Sequence, residues 1–145
     1  MRIRIAGALV ALVFITNTGC INMLADPLGR RSALKEAQLK YTQAIRWGNL
    51  EKASEFVDPD LREDFLGLLD TFERIRVTDY DIGSIQYESS EMAKVTVTYH
   101  AYTVGTYLDR SIREKQVWRR VGAGTQWWVE PQIEGLVGAL KLSSH

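Results

Sequence analysis

The side chains that could act as a general base or line a polar pocket lie in the second half of this sequence. His100 falls in a segment from Lys94 to Val104, and Glu114 and Gln116 fall in a segment from Ser111 to Val121. A carboxylate or a histidine inside an apolar pocket can take a proton from a carbon acid, because burial can bring its pKa near the working pH. If the two segments are strands, their side chains alternate between two faces, and the face that is turned to the core decides which of these side chains points inward.

The segment from Lys94 to Val104 predicts a half-buried antiparallel strand. One face carries Val95, Val97, Tyr99 and Ala101, and the other carries Thr96, Thr98, His100 and Tyr102. The apolar face should look into the core. We therefore expect Tyr99 to line the interior and His100 to lie on the outer surface, without a catalytic role.

The segment from Ser111 to Val121 has no decisive apolar parity, so two orientations stay open. In the first, its polar face lines a cleft together with Tyr99. The residues of that face are Glu114, Gln116 and Trp118. In the second, the same face meets water, and Val117 and Val121 point inward.

Other chemistries find little support in the residue types. One cysteine and two histidines, the second being the terminal His145, do not make a zinc site. The Gly122-Ala-Gly124 run is a hairpin signal and not a phosphate loop, since neither a helix nor a lysine follows it. Serine nucleophile motifs are absent. We therefore expect neither a metal nor a cofactor.

The only cysteine, Cys20, follows a segment that predicts a targeting signal. Arg2 and Arg4 form a positively charged n-region, and the apolar run from Ile5 to Ile15 has the length of the h-region of a secretory signal peptide. As a helix this run would cover roughly 16 Å, about half of a hydrocarbon core of roughly 30 Å, so it is too short to span a membrane. A lone thiol in an oxidising compartment then needs another role.

The junction Thr18-Gly19-Cys20 resembles the lipobox of bacterial lipoproteins, although Asn17 replaces the usual aliphatic residue. The resemblance implies that residues 1–19 are cleaved and that acyl chains on Cys20 anchor the mature chain to a membrane. Ile21, in place of Asp, resembles the sorting pattern for the outer membrane. The expected location is the bacterial cell envelope, on the outer membrane facing the periplasm. The alternative is an ordinary signal peptide followed by a free thiol.

The mature chain has the size of one domain. Removal of residues 1–19 leaves 126 residues with 16 basic and 18 acidic side chains, a formal charge of −2 that does not favour nucleic acid. We divide it into a lipid anchor and tether at 20–31, a domain at 32–131 and a C-terminal tail at 132–145. The tail is apolar, and it is either a helix packed on the domain or a partner-binding segment.

Three helices are predicted at the start of the domain. The first has Ser32 as its N-cap and ends at Gly48, where a left-handed residue is expected. Asn49 caps a short second helix, and Asp58 followed by Pro59 opens a third. The positions of the third helix that are predicted to point inward are Leu61, Phe65, Leu68, Leu69 and Phe72.

Strands follow from Val77 onward, where β-branched and aromatic residues dominate. The first strand changes parity after Ile82, and a β-bulge at Gly83-Ser84 would restore a common face. After the two long segments described above, Gln126 to Glu130 predicts a last strand. The fold class is therefore α+β, with three N-terminal helices packed on a curved antiparallel sheet.

This order of elements, with a terminal hairpin that carries Trp118-Arg119-Arg120 and Trp127-Trp128-Val129, resembles the NTF2-like (cystatin-like) fold. The resemblance covers about residues 32–131 and rests on architecture more than on motif. It implies a cone, which is the space between the concave face of the sheet and the helices. The family includes dehydratases, isomerases and polyketide cyclases as well as non-catalytic binding domains, so the fold alone does not decide activity.

Two functions therefore stay open. The first is a non-catalytic, lipid-anchored binding or scaffold domain that presents its surface or its tail to an envelope protein. The second is a domain that binds or transforms a small apolar molecule in its cone. Buried ionisable groups inside the cone would favour the second function, whereas a cone filled by Tyr99, Trp118 and leucines would favour the first.

Overall fold

The computed structural model describes residues 26, 28–106, 108–133, 135 and 138. The predicted signal at 1–19, the lipid site Cys20 and most of the tail lie outside these residues. The elements in chain order are α1 (Arg30–Arg46), α2 (Leu50–Ser54), a 3₁₀ helix (Pro59–Leu61), α3 (Arg62–Leu66), α4 (Leu69–Phe72), β1 (Ile75–Ile82), β2 (Gln86–Tyr87), β3 (Met92–Thr103), β4 (Arg110–Arg120) and β5 (Trp127–Glu130). The predicted α+β order is confirmed. No helix in this part of the chain is long and apolar enough to cross a membrane.

Helix α1 begins earlier than the sequence predicted, because Ser32 is not its N-cap. The Asp26 carboxylate accepts hydrogen bonds from the backbone N–H groups of Arg31 and Ser32, at 2.9 and 3.0 Å. A residue ahead of the helix therefore satisfies two of the N–H groups that every helix start leaves open. At the other end, Gly48 has the predicted left-handed conformation, with φ of 71°.

The end of the segment predicted as a tether is built into the domain. The carbonyl of Arg30 accepts a hydrogen bond from the Trp127 indole at 2.8 Å, and the Arg30 guanidinium donates to the Ala123 carbonyl at 3.2 Å. The Arg31 guanidinium lies 4.8 Å from the centre of the Tyr87 ring. These contacts hold the first turn of α1 against the sheet.

The remaining helical elements are short and begin where the sequence predicted. The Asn49 side chain accepts from the backbone N–H of Lys52, and the Asp58 side chain accepts from that of Asp60. The third predicted helix is present as three consecutive segments, the 3₁₀ helix, α3 and α4. They bury Phe65 and Phe72, as predicted, and Leu68 and Leu69 are partly buried. Leu61 was also predicted to point inward, but it is 39% exposed.

The strands form one antiparallel sheet in the order β1-β3-β4-β5, and β2 also pairs with β3. The predicted parity of β3 is confirmed, because Val95, Val97, Tyr99 and Ala101 are all buried. The outer edge of β5 is covered, since the Val129 N–H donates to the Phe56 carbonyl at 2.8 Å. The helices thus cover one face of a curved sheet whose inner face is the core.

The β-bulge lies elsewhere than predicted. The register of β1 with β3 shifts between Val77 and Asp79, and not at Gly83-Ser84. Gly83 has a different role: its N–H donates to the Thr96 carbonyl at 2.9 Å, and a Cβ there would lie 2.9 Å from the same oxygen. The glycine therefore permits close approach of two backbones at the end of β1.

Candidate functional site

Strand β4 adopts the first of the two orientations that the sequence left open. Glu114 is 1% exposed, and Gln116 and Trp118 are fully buried, whereas Val121 is 74% exposed. The cause is the register with β3, which places Glu114 opposite Val97. Directly paired residues of antiparallel strands share a face, so the apolar face of β3 decides the face of β4.

The Glu114 carboxyl group is the centre of the site. Its Oε1 accepts a hydrogen bond from the Tyr41 hydroxyl at 3.2 Å. Its Oε2 accepts from the Tyr99 hydroxyl at 3.1 Å and from the Gln116 amide at 2.9 Å. The carboxyl therefore joins helix α1 to strands β3 and β4 inside the core.

The hydrogen-bond network continues through the Gln116 side chain to Gln38 and Thr42 in the middle of α1. Gln116 Oε1 accepts from the Trp118 indole at 3.2 Å and from the Gln38 amide at 3.3 Å. The Gln38 amide also donates to the Thr42 hydroxyl at 3.0 Å. All of these side chains are buried, so their polar groups depend on one another and not on water.

Aromatic rings fill the space around this network. The Tyr41 and Trp118 rings meet edge to face, with centroids 5.9 Å apart and an interplanar angle of 88°. The Phe65 ring lies on another side of Tyr41, with centroids 6.4 Å apart. The carboxyl group is thereby enclosed by apolar surface.

Burial raises the pKa of Glu114, because the charged form loses its hydration. Hydrogen bonds from Gln116, Tyr99 and Tyr41 and from the backbone N–H of Gln132 act in the opposite direction but do not cancel the rise. Burial, together with the charge of Glu114, raises the pKa of both tyrosines well above its ordinary value. The two phenols therefore stay protonated and remain hydrogen-bond donors.

We expect Glu114→Gln to remove a pH dependence of stability. Below the ordinary glutamate pKa of 4.5 the carboxyl is protonated in both states. As the pH rises above that value, Glu114 ionises in the unfolded chain before it ionises in the folded one. The free energy of unfolding of the wild type should therefore fall, relative to that of the variant, by up to about 1.4 kcal/mol per pH unit. The fall should stop once Glu114 is also ionised in the folded protein. Urea denaturation of both proteins between pH 4 and pH 8 measures this difference. A wild type that instead gains stability over the variant with rising pH would show that the pKa is lowered.

His100 lies outside the network, as its parity predicted. Its side chain is 34% exposed, and its Nδ1 lies 3.2 Å from the Ser111 hydroxyl. The nearest carboxylates are those of Asp81 and Asp109, at 3.9 and 4.0 Å from the ring nitrogens. This surface group does not join the buried carboxyl, and the part of the chain that the structure describes has no group of three metal-ligating side chains.

The contribution of α1 to the site was not predicted from the sequence. Tyr41 lies on the apolar face of the first predicted helix but was not named as a site residue, and Gln38 and Thr42 were not considered. A signal was present, because Gln38 and Thr42 are four residues apart and flank that apolar face. Polar side chains on a buried helix face need partners, and here the partner is Gln116.

Protein-family models and curated proteins give no sequence match to this chain. Solved structures do match its fold. A ketosteroid isomerase-like protein from Erwinia carotovora atroseptica has a TM-score of 0.51 at 15% identity, over 68% of this chain and 88% of that one. A domain of unknown function with a cystatin-like fold from Nostoc punctiforme has a TM-score of 0.53 at 14% identity, over 70% of this chain and 74% of that one. The fold is NTF2-like, or cystatin-like.

Among the described residues, this network of buried side chains lies inside the NTF2-like cone. Tyr99, Glu114, Gln116 and Trp118, which the sequence analysis named as pocket-lining residues, do meet inside it. They contact one another and α1. Among the described residues, Glu114 is the one buried carboxylate, and each of its oxygens already accepts a hydrogen bond.

Proposed function

We propose that the mature protein is a lipid-anchored binding domain of the bacterial cell envelope and that it has no catalytic activity. The observation that carries the second half of this proposal is the hydrogen bonding of Glu114. A general base needs a lone pair within about 2.6–3.2 Å of the proton that it removes. Here the hydroxyls of Tyr41 and Tyr99 and the amide of Gln116 donate to the carboxyl oxygens.

The energetics support the same proposal. Opening the cone to a substrate would break several hydrogen bonds between buried groups, and each buried group left unsatisfied costs about 1–3 kcal/mol. It would also separate the Tyr41 and Trp118 rings, whose edge-to-face contact closes the space beside Gln116. The network therefore acts as a polar core that fixes α1 on the sheet. Binding then takes place on the outside of the domain.

The anchoring half of the proposal rests on the N-terminal sequence. Arg2 and Arg4, the short apolar run from Ile5 to Ile15 and the Gly19-Cys20 junction support cleavage at the cysteine and its acylation. Two or three acyl chains give lasting membrane attachment, because each buried CH₂ contributes about 0.8 kcal/mol. The sorting pattern at Ile21 supports the outer membrane.

We expect Cys20→Ser to release the protein from membranes or to leave it uncleaved. Serine has a hydroxyl in place of the thiol that carries the acyl chain, so neither lipid attachment nor cleavage before residue 20 should proceed. Fractionation of cells, with mass spectrometry of the N-terminus, measures both effects. Asn17→Ser, which leaves the thiol in place, is the control and should stay anchored. A Cys20→Ser protein that remains membrane-bound and correctly processed would refute the lipid anchor.

One observation favours a second function, the binding or transformation of a small apolar molecule in the cone. Glu114 is an ionisable group inside a cone, and its raised pKa would keep it protonated over a wider pH range. A neutral carboxyl beside two phenols can donate a hydrogen bond to a carbonyl group. The fold is shared with a ketosteroid isomerase-like protein. An apolar ketone that raised the melting temperature of the wild type, but not that of Glu114→Gln, would favour binding or transformation of a small molecule.

A further inference from the structure

A groove of about 550 Å³ lies between the end of α1 and strand β1. Its lining shares no residue with the network around Glu114. The walls include Arg46, Trp47, Phe72, Ile75, Arg76 and Val77. Buried apolar side chains form the base of the groove, and the arginines and the tryptophan stand at its rim.

Trp47 lies at this rim with its backbone held by helix α1 and its indole exposed. Its side chain is 77% exposed, although its backbone N–H is bonded to the Gln43 carbonyl at 3.0 Å and closes α1. The Arg46 guanidinium lies 4.9 Å from the centre of the indole. Tryptophan and arginine are the residues that most often dominate binding energy at interfaces. Trp47 lines the groove together with Phe72, Ile75 and Val77, and an apolar patch with a polar rim is typical of an interaction surface.

Strand β1 opens its outer edge to the same groove. Among the described strands, β1 is at the end of the sheet, with β3 on one side. The Val104 N–H donates to the Arg74 carbonyl, so by alternation the main-chain groups of Ile75 and Val77 face away from β3. From that outer side, the Arg46 guanidinium donates to the Val77 carbonyl. An arginine side chain thus occupies a position that a neighbouring strand could take.

The charges of the groove favour an acidic partner. Two of the lining residues are arginines, and Glu73 is the one acidic residue beside them. Among the described residues, the Arg76 guanidinium donates only to main-chain carbonyls, those of Glu73 at 2.7 Å and Ile75 at 2.9 Å. Within the part of the chain that the structure describes, neither Arg46 nor Arg76 forms a salt bridge. Among the described residues, therefore, both guanidinium groups bond to main-chain carbonyls and neither charge is neutralised by a carboxylate.

We propose that this groove binds an extended acidic segment of another envelope protein, which adds to β1 as a further strand. In the bound state the Arg46 and Arg76 guanidinium groups leave the Val77 and Ile75 carbonyls, which they occupy in the free chain, and the main chain of the segment pairs with these two residues, as in other cases of strand addition. A carboxylate of the segment pairs with Arg46 or Arg76, and an apolar side chain lies on Trp47. This inference rests on the proposed binding function and names its surface and its class of partner.

A display library of ten-residue peptides, selected against the full lipidated chain in detergent micelles, tests the proposal. Selected peptides should alternate acidic and apolar residues. Their binding should move Trp47 fluorescence to shorter wavelength and slow hydrogen exchange at the amides of Ile75 and Val77.

Trp47→Ala should weaken binding roughly tenfold or more, and Arg76→Gln should weaken it and reduce its dependence on salt. Leu39→Ala, at another exposed apolar residue of α1, is the matched control and should bind normally.

Three results would overturn the proposal. One is a selection that yields no acidic peptide. Another is a peptide that binds Trp47→Ala as tightly as the wild type. The third is a dimer of this chain that protects the same two amides, because a second copy would then be the occupant. A Cys20→Ser protein that stays anchored would contradict the lipid anchor and leave peptide binding untouched, so the two failures are distinguishable.

Discussion

Val97→Asp should destabilise the domain by roughly 4 kcal/mol or more, a large part of a typical stability of 5–15 kcal/mol. Val97 is fully buried in β3, opposite Ile82 of β1 on one side and Glu114 of β4 on the other. A new carboxyl at this position has no partner and lies beside an existing buried carboxyl. Repulsion between the two groups adds to the loss of hydration.

The matched control for this substitution is Thr96→Asp. Thr96 is the preceding residue of β3, it is exposed on the outer face, and it pairs with Lys115 across the strands. A carboxyl there meets water and a positive charge, so the free energy of unfolding should change by no more than about 0.5 kcal/mol. Urea denaturation at one pH measures both variants. Equal losses of stability would contradict the assignment of the two faces of β3.

Trp118→Ala should cost about 3–5 kcal/mol of stability, because it leaves a large cavity in the middle of the cone. The indole is fully buried, contacts the Tyr41 ring edge to face and donates a hydrogen bond to Gln116 Oε1. Its loss removes the wall that encloses the Glu114 network. The alanine variant should therefore also show faster hydrogen exchange in α1, which is held by that network.

Trp118→Phe separates packing from hydrogen bonding. Phenylalanine keeps much of the ring contact with Tyr41 and loses the indole N–H, while Gln116 Oε1 still accepts from the Gln38 amide. We expect a smaller loss of about 1–2 kcal/mol. Calorimetry or urea denaturation compares the two variants, with Trp47→Ala as an exposed reference. If alanine at position 118 were tolerated as well as alanine at position 47, the cone could not be a packed core.

The sequence by itself determined the inner face of β3 and several helix boundaries, because these features depend on residues that are close together in the chain. The strict alternation of β3 identified its inner face, because a strand with one apolar face has a single stable orientation. Asn49, Asp58 and Gly48 marked helix boundaries, since these residue types satisfy open backbone groups or adopt left-handed angles. The order of helices and strands was sufficient for the α+β class. The signal and the lipid site at Cys20 are likewise sequence predictions.

The tertiary structure alone decided the features that depend on residues far apart in the chain. Strand β4 carries polar and apolar residues on both faces, so only its register with β3 turned Glu114 inward. Asp26 caps α1 from outside the helix, which local spacing did not reveal. The hydrogen bond between Glu114 and Tyr41, which are 73 positions apart in the chain, requires helix α1 to lie across the sheet. A side chain's type is local, but its partner and its burial are set by the packing of elements, and that packing made the carboxyl part of a closed core.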